Sequence, residues 1–197
     1  DVRTSTGPGG VASSPLTGAA VPPAMLTLNT MSFGTTLVGT QVERILTVRN
    51  TGGGLSGAIT LSITGTDRTD FTTAPPSSGD CESGVTTLPG GATCLVRVRW
   101  NPAARGLRSA TLTATASPGG APTSLLEGTA QMPVTLTSVD TAHQFPLTEV
   151  QLTSAPFDWV VTNSGDFASA VPVVSITGAH WTDFLTTGCT AAIPAGG

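Results

Sequence analysis

The sequence predicts an all-β chain made of two β-sandwiches in tandem, the second without its C-terminal strands. Three observations lead there. Short runs of alternating apolar and polar residues recur every 8–12 residues between Gly/Pro turns, with no stretch of helical period. Thr, Ser, Gly, Ala and Val dominate, and charged residues make up only 10% of the chain, with no Lys and no Tyr; Thr and Val favour pleated structure. The third observation is an internal echo. Val48 to Phe71 reads VRNTGGGLSGAITLSITGTDRTDF, and Val161 to Phe184 reads VTNSGDFASAVPVVSITGAHWTDF, aligned without a gap at an offset of 113 residues. The copies share Val48/Val161, Asn50/Asn163, Gly52/Gly165, Ser56/Ser169, the Ser-Ile-Thr-Gly run from Ser62 and from Ser175, and Thr-Asp-Phe from Thr69 and from Thr182. A fixed period of this kind marks an array of one structural unit.

Residues 1–22 hold Gly, Ser, Pro, Thr and Ala with scarcely any large apolar side chain, too little to offset ordering entropy, and read as a flexible tail or linker. The first unit spans 23–130. Leu26 and Leu28 alternate with Thr27 and Asn29 as a half-buried strand, Phe33-Gly34 and Gly39-Thr40 read as turns, and Val42 to Asn50 is a long strand with Leu46 and Val48 inward. Asn50 to Gly54 is a glycine loop, and Ala58 to Thr64 alternates Ile59, Leu61 and Ile63 against hydroxyls. Gly65 to Phe71 is expected as one helical turn, with Asp67 capping its amides and Phe71 entering the core. Cys81 to Leu88 is weakly patterned and ends at the Pro89-Gly90-Gly91 turn. Thr93 to Trp100 puts Cys94, Val96, Val98 and Trp100 on one face; Arg108 to Ala116 does the same with Ala110, Leu112 and Ala114; Ser124 to Ala130 closes the unit. The second unit, 131–197, repeats the plan with strands at Val134 to Val139, Val150 to Leu152, Phe157 to Asn163 and Val171 to Thr177, then stops at Ala195-Gly196-Gly197, where the first unit runs on into the Cys94 strand.

Cys81 and Cys94 flank the Pro89-Gly90-Gly91 turn and are expected to form a disulfide, worth roughly 3 kcal/mol by loop closure; the alternative is two reduced thiols, one buried. A disulfide implies an oxidising compartment. Cys189 precedes Pro194-Ala195-Gly196-Gly197 in the same order, so it reads as a half-cystine whose mate lies past Gly197 or on another chain. Zinc spacing is absent.

Taken together, Phe33-Gly34, Val38-Gly39, Val48 to Gly52, Ile63 to Gly65 with Asp70-Phe71, Leu88 to Gly90 with Cys94 to Val98, and Pro102 with Gly106 to Leu112 resemble the abnormal-spindle/hydin-type (ASH) immunoglobulin-like repeats found in bacterial choice-of-anchor D domain-containing surface proteins. The resemblance covers 23–130 in full and 131–197 in part. It implies a seven-stranded immunoglobulin-like sandwich related to pilus chaperones, tandem repetition in secreted or surface proteins, and no active site. His143-Gln144-Phe145-Pro146 departs from the pattern where Phe-Gly is expected.

No constellation for catalysis or cofactor binding stands out, and the chain is expected not to be an enzyme. His143 and His180 lack partners at useful spacing and read as surface or turn residues. Asp67, Asp70 and Asp183 lack the alternating oxygen ligands of a calcium loop and read as turn caps. Trp100 and Trp159 fall at strand positions and read as core; Trp181 follows a turn and is the candidate partner contact. All eight Arg lie at or before Arg108, and from Ser109 onward there are six acids and no base. That acidity disfavours nucleic acid or an anionic membrane as partner, and no run is apolar and long enough to span a bilayer. The expected role is a non-catalytic structural or interaction module of an extracellular protein, as a fibre or appendage subunit assembled by sandwich contacts or strand addition. The alternative is an adhesin or carbohydrate-binding module.

Overall fold

The computed structural model describes residues 2–8 and 10–196, without side chains for 2–7 and 10–14. Asp1, Gly9 and Gly197, which the tail and terminal-turn readings include, lie outside the described residues. Twelve strands follow one another: β1 (Val2–Gly7), β2 (Gly10–Pro15), β3 (Leu26–Leu28), β4 (Met31–Leu37), β5 (Val42–Asn50), β6 (Thr60–Thr64), β7 (Phe71–Thr73), β8 (Thr93–Trp100), β9 (Gly106–Thr115), β10 (Thr123–Gln131), β11 (Leu136–Ser138) and β12 (Val161–Asn163). Single 3-10 turns occupy Arg68–Asp70 and Trp181–Asp183.

Strands β3 to β10 make one sandwich of two sheets, in the orders β3-β5-β8-β7 and β4-β10-β9-β6. Lettered along the chain with the first strand split between the sheets, this is A-B-E-D against A′-G-F-C, the immunoglobulin-like arrangement. Every pairing is antiparallel except β4 with β10, which is parallel. The alternation read in the sequence sets the inner faces. Cys94, Val96, Val98 and Trp100 of β8 and Leu46 and Val48 of β5 bury against Ala110, Leu112 and Ala114 of β9 and Leu126 and Ala130 of β10. Phe33, Phe71 and Trp100 meet at one end, with ring centroids 5.5 to 6.0 Å apart. Burial of such large apolar side chains contributes about 1.5–3 kcal/mol each. Gly128 lies under the Trp100 ring, where a side chain would have no room: a β carbon there would stand 2.5 Å from Cη2 and 2.6 Å from Cζ3.

The structure differs from the sequence reading in several places. β4 continues through Phe33-Gly34, where a turn is expected from the sequence, as a β-bulge: β10 offers a parallel partner, Phe33 is the extra residue between the Ser32–Glu127 and Gly34–Gly128 pairs, and Gly34 takes a φ of 75°. β7 extends past Phe71 to pair with β8. β1 and β2 pair as a hairpin inside the segment expected to be a structureless tail. Gln131 ends β10, and in 132–196 only β11 and β12 pair; Val150 to Leu152 and Val171 to Thr177 carry no ladder, and the Phe157 to Asn163 strand shrinks to Val161–Asn163. Strand periodicity describes a side-chain pattern, but a strand forms only where a neighbour takes up its amides.

Gly128→Ala is expected to lower the unfolding free energy by about 1–3 kcal/mol, since the methyl must displace a fully enclosed indole. Guanidinium titration against the parent chain measures it; an unchanged midpoint contradicts this packing.

Candidate functional site

The echoed residues converge on a buried corner. Asn50 ends β5 with its side chain fully enclosed. Its Oδ1 accepts from the amides of Met25 and Gly52, each at 3.0 Å, and its Nδ2 donates to the carbonyls of Gly54 at 2.7 Å and Leu88 at 2.8 Å. Two donors and two acceptors use the whole capacity of the carboxamide. Ser56 ties the same loop from the other side: its Oγ accepts from the Leu88 amide at 2.8 Å, and its own amide donates to the Leu88 carbonyl at 2.9 Å. Gly52 is required because a β carbon there would collide with the Pro23 carbonyl oxygen.

The second copy builds the same corner. Asn163 is 1% exposed; its Oδ1 accepts from Thr135 at 3.3 Å and Gly165 at 3.0 Å, and its Nδ2 donates to Phe167, Ile193 and Pro194 carbonyls at 2.7 to 3.2 Å. Ser169 Oγ accepts from the Ile193 amide at 3.0 Å, and a β carbon on Gly165 would collide with the Pro133 carbonyl. The repeat itself was the signal for this corner: Asn, Gly and Ser recur while their neighbours change. Local pattern alone marks Asn50 to Gly54 only as a glycine loop.

Around the corner the copies part. In the first, Arg108 on β9 donates from Nε to Asp70 Oδ2 at 2.8 Å and pairs with Asp67 Oδ1 at 2.8 Å. Those carboxylates hold the Arg108 guanidinium above its usual range, the Asp70 hydrogen bond most strongly. Asp67 was expected to cap its own turn and makes no such bond; its Oδ2 accepts from the Ser109 amide at 2.8 Å instead. Asp67 and Asp70 thereby both pair with Arg108. In the second copy Asp183 and His180 occupy these places, and no cation pairs with Asp183 among the described residues. Phe184 is 48% exposed where its counterpart Phe71 is 3%. Trp159, expected in the core, is 45% exposed, since no opposing sheet reaches it. It joins His143, Phe145 and Phe157 in an aromatic cluster in which His143 stacks on Phe157 with centroids 3.8 Å apart. Trp181 stands 57% exposed on the 3-10 turn.

Cys81 and Cys94 form a disulfide, with Cα atoms 5.2 Å apart, that pins the β7–β8 connection to β8 within one sheet; Cys189 is unbonded. Beside the disulfide, a cleft of about 260 Å³ is lined by Leu61, Pro76, Asp80, Glu82 and Arg97. Asp80 Oδ2 accepts from the Ser77 amide at 2.8 Å and from Arg97 Nε at 3.0 Å. The Ser77 amide above all, helped by Arg97 and opposed by burial, holds its carboxyl below the usual range. Asp166 links the copies: it accepts from the Met132 amide at 2.6 Å and pairs with Arg105 at 3.3 Å. Among the described residues, no three His, Cys, Asp or Glu side chains cluster to hold a metal ion, and no helix is long and apolar enough to cross a membrane.

No protein-family model and no curated protein matches the chain. Among solved structures, it is similar over 54% of its length to 23% of the secreted serine protease VesC from Vibrio cholerae, at 24% identity and TM-score 0.41. It is similar over 66% of its length to 99% of the ASH/PapD-like domain 7 of human CEP192, at 18% identity and TM-score 0.39. It is similar over 87% of its length to 82% of the class 5 fimbriae chaperone CfaA, at 10% identity and TM-score 0.38. The chain spans only 23% and 32% of the two Vibrio cholerae proteases it matches, VesC and VesB. The strand order of β3 to β10 defines the fold without them.

Asn50→Ala severs four buried hydrogen bonds and is expected to cost about 4 kcal/mol at roughly 1 kcal/mol each. Asn163→Ala, in a copy with little packed around it, should cost less than half of that; equal losses by denaturant titration would contradict the difference between the copies. For Asp80 the folded carboxyl titrates lower than the unfolded one, so its stabilisation is full above about pH 4 and is lost as pH falls through the folded value. Asp80→Asn should flatten the acid limb of stability against pH, and an unaltered limb would show the Ser77 contact to be idle.

Proposed function

We propose that the chain is a non-catalytic structural and interaction module of a secreted or cell-surface protein. Its units, at 23–130 and 131–197, are copies of one immunoglobulin-like sandwich, of the kind seen in choice-of-anchor D proteins. They assemble with protein partners, and with further copies into a fibre or appendage, through sandwich contacts or strand addition. The observation that carries this reading is the second asparagine corner: a whole folding frame is rebuilt by Asn163, Gly165 and Ser169, yet the apolar side chains it positions are left outward. Contiguous exposed apolar surface marks interaction sites. Open strand edges invite an added strand. The Cys81–Cys94 disulfide favours an oxidising, extracellular setting.

A second reading, an adhesin or carbohydrate-binding module, is favoured by Trp181, a half-exposed indole on a turn. Aromatic faces of this kind serve as contact platforms.

Electron microscopy and sedimentation of the protein from its source should show fibres or concentration-dependent assemblies. Isolated monomers at all concentrations would overturn the assembly reading. Trp181→Ala should leave that assembly unchanged; loss of retention on a glycan array by this variant alone would select the adhesin.

A further inference from the structure

The cleft beside the disulfide follows from a pair of prolines. After β7 the Ala74 amide still donates to the Arg97 carbonyl of β8, at 2.9 Å. Pro75 and Pro76 have no amide with which to continue that ladder, and the chain leaves β8 there. It returns at Gly79, whose carbonyl accepts from the Leu95 amide at 3.1 Å, and at Cys81, whose amide donates to the Leu95 carbonyl at 2.7 Å. The Cys81–Cys94 disulfide holds the returning limb to β8. Leu61 of β6 forms another wall, tied to the limb by its amide, which donates to Ser83 Oγ at 2.9 Å. In the wall of this 260 Å³ cleft lies Asp80, its side chain only 3% exposed. Its Oδ2 holds both the Ser77 amide and Arg97, while its Oδ1 is buried with no partner among the described residues. A buried carboxylate oxygen without a donor loses its hydration and gains nothing in exchange, so it marks a place for a further donor.

Charge and shape restrict that donor. Asp80 and Glu82 bring two negative charges to the cleft, and Arg97 brings one positive charge that it divides between Asp80 and Glu43. The balance favours a cation. Leu61, Pro76 and Leu95 give the cleft apolar walls, which an alkyl stem covers and a water molecule leaves wet. A metal ion needs several oxygens around it, and among the described residues no third acidic, His or Cys side chain joins Asp80 and Glu82. We infer that the cleft is a binding site for an alkyl-linked cation, the ammonium or guanidinium at the end of a lysine or arginine side chain of a partner protein. The cationic head donates to Asp80 Oδ1 and to Glu82, and the stem lies along Leu61, Pro76 and Leu95. Only the choice of a protein as the source rests on the reading of the chain as an interaction module. The site itself is complete within the first sandwich.

The probes are n-butylammonium and n-butylguanidinium chloride, titrated into the isotope-labelled full chain at constant ionic strength, with n-butanol as their uncharged counterpart. The amide resonances of Leu61, Ser77, Asp80 and Glu82 should shift and saturate together, with a Kd on the order of 1 mM for ligands of this size. n-Butanol should bind about tenfold more weakly or worse, and Asp80→Asn should weaken both cations by a similar factor, since each change removes a charge-assisted hydrogen bond. The cation that binds more tightly assigns the side chain, lysine or arginine. Absence of saturation in the millimolar range overturns the inference. So do equal binding of n-butanol, shifts confined to other parts of the chain, and a folded Asp80→Asn that binds as the parent does. Should Asp80→Asn not fold, the comparison of each cation with n-butanol on the parent chain decides alone. Saturable binding by a chain that stays monomeric at all concentrations supports the site while overturning the assembly reading, which keeps the two apart.

Discussion

A single buried carboxamide constrains the first sandwich. Enclosing an amide away from water costs several kcal/mol unless every donor and acceptor is matched. Asn50 meets that demand only if Met25, Gly52, Gly54 and Leu88 come to it. The entry to β3, the glycine loop after β5 and the approach to β8 are therefore fixed together. The Leu88 contact brings Pro89 to Gly91 alongside Asn50, whose backbone bonds Ala92 and Gly91 at 3.0 and 2.8 Å. That delivers β8 in register against β5, with Val48 opposite Cys94 and Val42 opposite Trp100. The core depends on this register, since a slip of one residue would turn Val96, Val98 and Trp100 outward.

Sparse charge is used with economy around that frame. Arg97 serves Asp80 and Glu43, Arg99 serves Glu43, and Arg108 serves Asp67 and Asp70. The rim pairs between β5 and β8 are exposed and contribute little. Asp70 differs, because its side chain is only 2% exposed and removing Arg108 would strand a buried carboxylate. The pair therefore acts as a lock between the Arg68–Asp70 turn and β9.

How much of this was readable follows from where each signal resides. β8, β9 and β10 were plain in the sequence because both faces of each strand have definite surroundings, so alternation survives at Cys94 to Trp100 and Ala110 to Ala114. β4 and β7 were not, because their partners lie far along the chain and their own residues, such as Phe33-Gly34, favour a turn. Asp67 was misassigned for a related reason: the Ser109 amide and Arg108 that claim it are some forty residues away, and local spacing favoured its own turn. Trp159 was placed in a core on periodicity alone, which records a face without recording whether anything lies against it. The asparagine corner was visible as identical letters in both copies, but a loop asparagine has no local mark that distinguishes a saturated buried amide from a solvated one.

The two copies together isolate what each part of the fold does. The asparagine corner forms at Asn163 with five hydrogen bonds and no opposing sheet among the described residues, so it needs only Gly165, Ser169 and the backbones near Pro133 and Pro194 to come together. Apolar burial does not follow from it: Phe184 holds the place of Phe71 and remains half exposed. Frame and core are therefore separable. A unit whose frame stands without its core offers an ordered apolar surface and an ordered strand edge at once. Apolar area supplies the adhesion of such a surface, and the charged groups around it decide which partners it accepts.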